Sequence, residues 1–333
     1  MLELLLSKLQ NHIVSSKPFR SYNSLLEDCI TILNSEKILA ISGLRFSGKI
    51  ELVGEMVRKT HSENNFFYFN PYIDVLGTIT SKKDLILLLD YRIRVQWDVK
   101  IIILEDCNGI KDIKSLILEL YNSKNFKIII LWNNIKIEWI KEIQLSPLSL
   151  VQISSDLLPY GWLPHVRIAP DKAYKKILLS AFLSQILEKE VFRPYNIKNQ
   201  ENFRSVLAFL ASHETPISLR ELQRVLEENN VSISLITLIE YVHIALTTRI
   251  LYKQEVYNIK ESSQIQSKAL YLFSDLGIRS ILSDFEKLRY NNIIANEFLQ
   301  KWYNIYLWKF WVFMFDLYAH KWEEKIGIKI SYS

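Results

Sequence analysis

The residues whose types and spacing are best suited to chemistry lie between positions 43 and 50. Gly43 and Gly48 enclose four residues and Lys49 follows them, which gives the pattern Gly-x-x-x-x-Gly-Lys. An apolar stretch, 37–42, precedes the pattern, and a helix-like stretch, 51–59, follows it. Glycines let backbone N–H groups turn toward an anion, a helix start adds a positive dipole end, and the lysine reaches β- and γ-phosphates. The pattern therefore predicts a loop that binds nucleotide phosphates.

One position of this loop departs from the usual pattern. A loop of this type ends in Ser or Thr, whose hydroxyl binds Mg²⁺. Ile50 stands at that position, and a branched alkyl group cannot ligate a cation. We therefore expect nucleotide binding with doubtful use of Mg²⁺. The candidate nucleotide-binding residues of the loop are Gly43, Arg45, Ser47, Gly48, Lys49 and Ile50.

Two carboxylates follow a second apolar stretch, 101–104. In nucleotide hydrolases an Asp at this place holds Mg²⁺ and a following Glu orients the attacking water. Here the order is inverted, so Glu105 is the candidate metal ligand and Asp106 the candidate catalytic residue. Both carboxylates can still serve, but Glu105 is one methylene longer than the usual metal ligand and Asp106 is one methylene shorter than the usual base. The alternative is a solvated strand end without a catalytic role.

A third apolar stretch, 128–132, ends in Asn133. A polar residue at this place can sense the γ-phosphate, although Asn is also common in turns. We include Asn133 among the nucleotide-binding candidates. An arginine that completes the site from a neighbouring subunit is not identifiable, and Arg92, Arg94 and Arg167 are candidates by position only.

The elements that must position these residues alternate between strand and helix. Short apolar runs rich in Ile, Val and aromatic residues predict strands, and helix-like stretches separate them, which indicates a parallel sheet covered on both faces. Gly and Pro number only 8 each in 333 residues, which excludes collagen-like and turn-rich all-β chains. The predicted strands are 37–42, 65–70, 99–106, 127–133 and 166–168.

The chain beyond residue 170 has a different pattern. An amphipathic helix is predicted at about 172–190, and three further helices and a strand, 251–259, complete a winged helix-turn-helix pattern. The expected domains are an α/β nucleotide-binding domain at 1–170, a helical linker at 171–200, the winged helix at 201–262 and a small C-terminal α/β domain at 263–333.

The assembled pattern resembles prokaryotic ATPases of the AAA superfamily. It is similar to the group in which a P-loop ATPase domain precedes a winged helix and a restriction-endonuclease-like C-terminal domain of unknown function. The residues that carry the resemblance are Arg20-Ser21-Tyr22, the loop 43–49 including Arg45, the positions Tyr271, Asp275, Gly277 and Arg279, with Ile278 in place of Leu, and the segment 291–302. The resemblance implies an ATP-binding protein that acts as a nucleotide-dependent switch. Ile50 and the inverted acids favour weak or lost hydrolysis.

The partners implied by the C-terminal half are proteins more than DNA. The second helix of the winged-helix pattern, 232–246, contains no Lys or Arg, although Arg220 and Arg224 precede it. This favours a protein partner or self-association, with DNA possible but not favoured. In the nuclease-like pattern Glu297 and Asp316 fit two positions, but the Glu-x-Lys that a nuclease needs is missing. We expect a degenerate nuclease-like domain.

Composition sets the remaining limits. The chain has two cysteines, 49% hydrophobic residues and a formal charge of +5, and its first residues do not resemble a signal peptide. The aromatic stretch 302–319 is interrupted by Asn304, Lys309 and Asp316, so a membrane span is not expected. We expect a cytoplasmic protein. An active ATPase, a DNA-associated regulator and a scaffold that binds no nucleotide remain as alternatives.

Overall fold

A computed structural model provides the structure of the chain. It describes residues 11, 13, 15, 23–60, 62, 65–72, 79–95, 98–133, 137, 139–145, 159–213, 215–258, 263–283, 304–310, 313–321 and 324–328. For 23–24, 256–258, 263–267 and all described residues from 304 onward, only the backbone is described. The chain divides into two compact units, one of Met1–Gly43 with Gly48–Leu145 and one of Leu44–Ser47 with Ser146–Ser333.

The first unit contains a five-stranded parallel sheet. Its strands are β1 (Ile38–Ser42), β2 (Phe66–Phe69), β3 (Ile101–Glu105), β4 (Lys127–Leu131) and β5 (Glu142–Gln144). Their order across the sheet is β2–β3–β4–β1–β5, with every neighbouring pair parallel. The carboxyl ends of β1, β3 and β4 therefore meet at one edge of the sheet.

Apolar burial explains why these stretches form the sheet. All residues of β1 and β2 are buried, as expected for parallel strands that are covered on both faces. The described helices of this unit bury residues at helical spacing in the same core. These helices are α1 (Asn23–Glu36), α2 (Lys49–Lys59), α3 (Lys82–Val95) and α4 (Ile113–Ser123).

One predicted strand is wrong. The stretch 166–168 lies at the end of a short helix, α5 (Pro164–Arg167), and the fifth strand is instead β5. A proline in the first turn favours a helix start, because its fixed φ suits a helix and its missing N–H is not needed there. At the other end, the buried Lys175 Nζ donates hydrogen bonds to the carbonyl oxygens of Val166, Arg167 and Ala169, at 3.0, 3.1 and 2.6 Å. These contacts satisfy carbonyl groups that a helix end leaves open.

The second unit combines helices with a mixed sheet. After α5 its helices are α6 (Lys172–Ile186), a π-helical segment (Leu187–Phe192), α7 (Arg193–Tyr195), α8 (Gln200–Ser212), α9 (Leu219–Glu228), α10 (Leu235–Thr247) and α11 (Leu276–Leu282). Its strands are β6 (Leu251–Asn258), β7 (Ser263–Phe273), β8 (Asn304–Phe310), β9 (Phe313–Lys321) and β10 (Glu324–Ile328), in the order β10–β9–β8–β6–β7.

The winged-helix pattern has its expected elements. Helices α8, α9 and α10 are followed by the antiparallel hairpin of β6 and β7. The assignment of these elements as a winged helix, and the domain boundaries at 170, 200 and 262, stay predictions. Strand β6 also pairs in parallel with β8. The hairpin strands are therefore part of a larger sheet rather than an isolated wing.

The aromatic stretch near the C-terminus forms strands. Residues 304–310 and 313–321 are the antiparallel strands β8 and β9, as expected for that stretch. Among the residues that the structure describes, no helix is long and apolar enough to cross a bilayer. Asp316 lies in β9, in a part where only the backbone is described. Glu297, the segments 20–22 and 291–302, and the end of the chain after 328 lie outside the described residues.

A buried aspartate joins two distant segments of the second unit. Asp275 accepts hydrogen bonds from the backbone N–H of Trp162, at 2.6 Å, and of Ile278, at 2.9 Å. Burial raises the pKa of this carboxyl to about 6, and its backbone donors oppose that rise. Gly161, at φ 71°, lies so close that an added Cβ would be 2.4 Å from both carboxylate oxygens of Asp275. An added Cβ on Gly277 would lie 2.3 Å from the carbonyl oxygen of Tyr160, so close packing accounts for both Asp275 and Gly277.

Gly161→Ala should destabilise the protein strongly. The substitution places a side chain in the left-handed region and in contact with Asp275, and such incompatible replacements cost at least ~1–3 kcal/mol. Gly109→Ala is the matched control, because an added Cβ there meets nothing within 4 Å. Urea unfolding of both variants measures the effect, and equal midpoints would contradict this account of the contact.

Candidate functional site: the phosphate loop and the adjoining strand ends

The loop between β1 and α2 has the backbone that its glycines predict. Gly43 and Gly48 have φ of 147° and 98°, which residues with a side chain rarely adopt. Phe46 has a φ of 67°, which is unusual for a residue that is not glycine. The Ser47 N–H donates to the Leu44 carbonyl oxygen at 3.1 Å. These conformations wind the chain tightly before the helix begins at Lys49.

Lys49 lies across the beginning of the loop. The residue is 9% exposed, and Nζ donates a hydrogen bond to the Gly43 carbonyl oxygen at 2.9 Å. The N–H of Gly43 in turn donates to Oδ1 of Asn133, also at 2.9 Å. Asn133 follows β4, which pairs with β1. The structure thus brings Gly43, Lys49 and Asn133 together, as expected from strand ends that meet at one edge.

The loop also contains a polar atom that is buried and lacks a partner. Oγ of Ser47 makes no hydrogen bond to any residue that the structure describes. Leaving a buried hydroxyl unsatisfied costs about 1–3 kcal/mol. A ligand that accepts a hydrogen bond in this loop would remove that cost. The residues present therefore fit an anion such as a phosphate group.

Arg45 has a partner that the sequence did not indicate. Its Nη1 is 2.7 Å from Oε1 of Glu190, in the π-helical segment, and both side chains are largely buried. Arg45 and Glu190 belong to the same compact unit. The guanidinium that was expected to bind phosphate is thus held by a carboxylate in this structure.

Ile50 lies against apolar neighbours. The side chain is partly buried and packs against the core of the first unit. Among the described residues, no three His, Cys, Asp or Glu side chains are grouped so as to hold a metal ion. The position of the usual hydroxyl therefore fits Mg²⁺ poorly, because the alkyl side chain of Ile50 has no oxygen to bind the cation.

Glu105, the candidate metal ligand, is bonded by residues from the neighbouring strand. The hydroxyl of Tyr68, in β2, and Nδ2 of Asn70, just after β2, both donate to Oε2 of Glu105, the latter at 2.7 Å. The N–H of Tyr72 donates to Oδ1 of Asn70 at 2.8 Å, which orients the amide. Burial and the charge of Asp106 raise the pKa of the Glu105 carboxyl, and the two donors and Lys49 oppose that rise.

Asp106, the candidate catalytic residue, lies at a sharp change in backbone direction. It has a φ of 52°, is 7% exposed and begins a 3₁₀ turn at Cys107–Gly109. Its N–H donates to the carbonyl oxygen of Leu131 at 3.2 Å, which ties it to the end of β4. Both acids are buried or hydrogen-bonded here. The alternative of a simple solvated strand end is therefore not favoured.

The candidate arginines for completing a neighbouring subunit's site differ in accessibility. Arg92 is 8% exposed, and burial lowers its pKa. Arg94 is exposed near the end of α3, and Arg167 is half-buried at the end of α5. Arg92 is thus badly placed to reach another molecule.

Three of the contact residues described above were not predicted from the sequence: Tyr68 and Asn70, which donate to Glu105, and Glu190, which pairs with Arg45. Asn70 could have been found, because it ends an apolar strand in the same way as Asn133 does. Tyr68 looks like any aromatic strand residue. Glu190 is one of several acids in a predicted helix, and nothing in its spacing indicates Arg45 as its partner.

Comparison with known proteins supports the fold. The Walker-type ATPase PABY2304 of Pyrococcus abyssi has a similar structure, with a TM-score of 0.56 and 10% identity over 79% of this chain and 95% of that chain. The Orc1 protein of Aeropyrum pernix in complex with DNA matches more weakly, with a TM-score of 0.35 and 12% identity over 82% and 95%. The first similarity, with the sheet and loop described above, shows an α/β fold of the P-loop ATPase type.

Sequence comparison adds one family match. The model of a domain of unknown function (DUF8612) matches residues 152–289, which lie in the second unit. No curated protein matches this sequence.

Proposed function

We propose that this protein binds ATP through the loop 43–49 and acts as a nucleotide-dependent switch whose hydrolysis is weak or lost. The observation that carries the proposal is the loop itself. It combines left-handed glycines, the buried Lys49 ammonium and the Ser47 hydroxyl, which finds no partner among the described residues. A triphosphate would accept hydrogen bonds from the loop and from Lys49, which would exchange its bond to the Gly43 carbonyl for a charged partner.

Slow hydrolysis follows from the same residues. Ile50 offers no oxygen at the position next to the phosphates, and Oε2 of Glu105 already accepts two hydrogen bonds. Asp106 has a shorter side chain than the glutamate usual at its position, so its carboxylate reaches less far toward an attacking water. Bound ATP would thus persist, which suits a switch better than rapid turnover.

Calorimetric titration with ATP, ADP and AMP tests the proposal. We expect affinity to increase with the number of phosphates, because Lys49 is a point charge for the β- and γ-phosphates. Turnover measured in the same samples distinguishes a slow switch from an active ATPase. Equal, weak binding of all nucleotides would contradict the assignment of the loop.

The second unit is proposed to contact protein rather than DNA. Helix α10 exposes Ile236 and Ile239, whose exposed fractions are 80% and 47%, and contains no Lys or Arg. Phosphate contacts need basic or hydrogen-bonding groups on the surface that enters the groove. Arg220 and Arg224 are exposed on α9, and Arg224 lies 3.8 Å from Glu228.

Duplex DNA should therefore bind weakly, and replacing both Arg220 and Arg224 by alanine should change that binding little. Fluorescence anisotropy at several salt concentrations measures it, with replacement of Arg193, which is exposed outside α9, as a control. Tight binding with a steep salt dependence that the double variant loses would favour a DNA-associated regulator.

A further inference from the structure

The tip of the phosphate loop, Leu44–Ser47, is embedded in the second unit. Leu44 is 4% exposed within that unit's apolar core. The ring of Phe46 stacks on Phe182, with centroids 4.3 Å apart and planes at 19°. Because Phe46 adopts a positive φ, this packing stabilises a conformation that a non-glycine residue adopts at a cost. The loop tip is thus anchored by its side chains.

An ion pair also holds the tip of the loop. Arg45 pairs with Glu190 at 2.7 Å, and the two side chains are only 14% and 17% exposed. The Arg45 guanidinium also lies over the Phe46 ring, 5.6 Å from its centroid. Solvent screens such a pair less than a surface ion pair, so removing one partner leaves a charge that is costly to keep buried.

Glu190 lies in an unusual part of the helix. The segment Leu187–Phe192 continues α6 as a π-helix. Single π-helical turns are rare and are found frequently at functional sites. Loss of the ion pair between Arg45 and Glu190 would therefore affect the segment Leu187–Phe192, whose backbone hydrogen bonds already differ from those of an α-helix.

We propose that Arg45 is a latch with two alternative partners: Glu190 when the loop holds no nucleotide, and the phosphates of a nucleoside triphosphate when it does. The inference rests on the proposed function and adds the element that responds to it. Transfer of Arg45 to a phosphate removes the Arg45 guanidinium from the Glu190 carboxylate, and the π-helical segment rearranges in response. Occupancy of the loop is thereby communicated to the π-helical segment.

Glu190→Gln tests the latch, because it keeps the shape of the side chain and removes the charge that competes for Arg45. We expect ATP to bind about 10-fold more tightly, which corresponds to ~1.4 kcal/mol, while AMP affinity changes less than about twofold. Glu188→Gln is the matched control, since Glu188 lies in the same segment but forms an exposed pair with Arg193 at 3.5 Å. In an Arg45→Gln background, Glu190→Gln should have no effect on ATP affinity.

Hydrogen exchange of the wild type gives a test that needs no variant. Amides of 187–192 should exchange faster with bound ATP than without it, and AMP should leave them unchanged. If the wild type binds ATP but Glu190→Gln behaves like Glu188→Gln and the segment's exchange is constant, the latch is wrong and nucleotide binding stands. If the wild type binds no ATP, the proposed function fails and the latch fails with it.

Discussion

Lys49→Ala is expected to reduce ATP affinity by roughly 10–100-fold, because hydrogen bonds to charged groups contribute about 1.5–3 kcal/mol. In the structure the Lys49 ammonium donates to the Gly43 carbonyl oxygen at 2.9 Å, so it is already held at the loop. AMP offers no β- or γ-phosphate and should lose less than about threefold. Isothermal titration calorimetry with both nucleotides measures the difference.

Lys59→Ala is the control for this substitution. Lys59 lies at the other end of α2 and pairs with Glu27 on the surface, so the same charge is removed from the same helix without affecting the loop. Its ATP affinity should equal that of the wild type. An equal loss of ATP and AMP binding in Lys49→Ala would show that Lys49 acts through folding or that the loop is not the site.

Ile50→Thr should make ATP binding depend on Mg²⁺. The substitution places a hydroxyl at the position where P-loop proteins bind the cation, and both residues are β-branched, so the backbone is not strained. We expect the ratio of ATP affinity in Mg²⁺ to that in EDTA to increase about 10-fold or more over the wild type, within the energy of a single charged interaction. Titrations in the two buffers measure this ratio.

Ile50→Val separates the hydroxyl from the change in size. Valine has the shape of threonine but lacks the oxygen, so its Mg²⁺ dependence should match that of the wild type. Turnover by Ile50→Thr rises only if the inverted pair Glu105–Asp106 is not a second block. A strong Mg²⁺ dependence in the wild type would mean that another group has taken over the metal.

The strands of the first unit were predictable because continuous apolar runs permit few alternatives. Four of the five predicted strands are confirmed, with ends within a few residues of those in the structure. The fifth strand was not found, because β5 has only three residues and alternates polar and apolar side chains. The stretch 166–168 was wrongly assigned, since its helix depends on Pro164 and on Lys175, a contact that strand patterns do not encode.

The candidate nucleotide site could be predicted where its residues are close in sequence or follow neighbouring strands of the sheet. Gly43, Gly48 and Lys49 lie in one loop, and Glu105 and Asn133 lie at strand ends that a parallel sheet must bring to one edge. Arg45 shows the limit of this argument. Its place in the loop suggests a phosphate ligand, yet its partner, Glu190, lies 145 residues away and is found only through the fold. Tyr68 and Asn70 are likewise bonded to Glu105 only because β2 pairs with β3.

The most direct measurement is the thermal unfolding of the wild type with ATP in Mg²⁺ and, separately, in EDTA. We expect ATP to stabilise the protein in both buffers and by a similar amount, about 2.7 kcal/mol at a hundred times its dissociation constant. Lys49→Ala at the same ATP concentration should lose most of this stabilisation. No stabilisation in either buffer would contradict nucleotide binding by this loop, and stabilisation that requires Mg²⁺ would contradict the role given to Ile50.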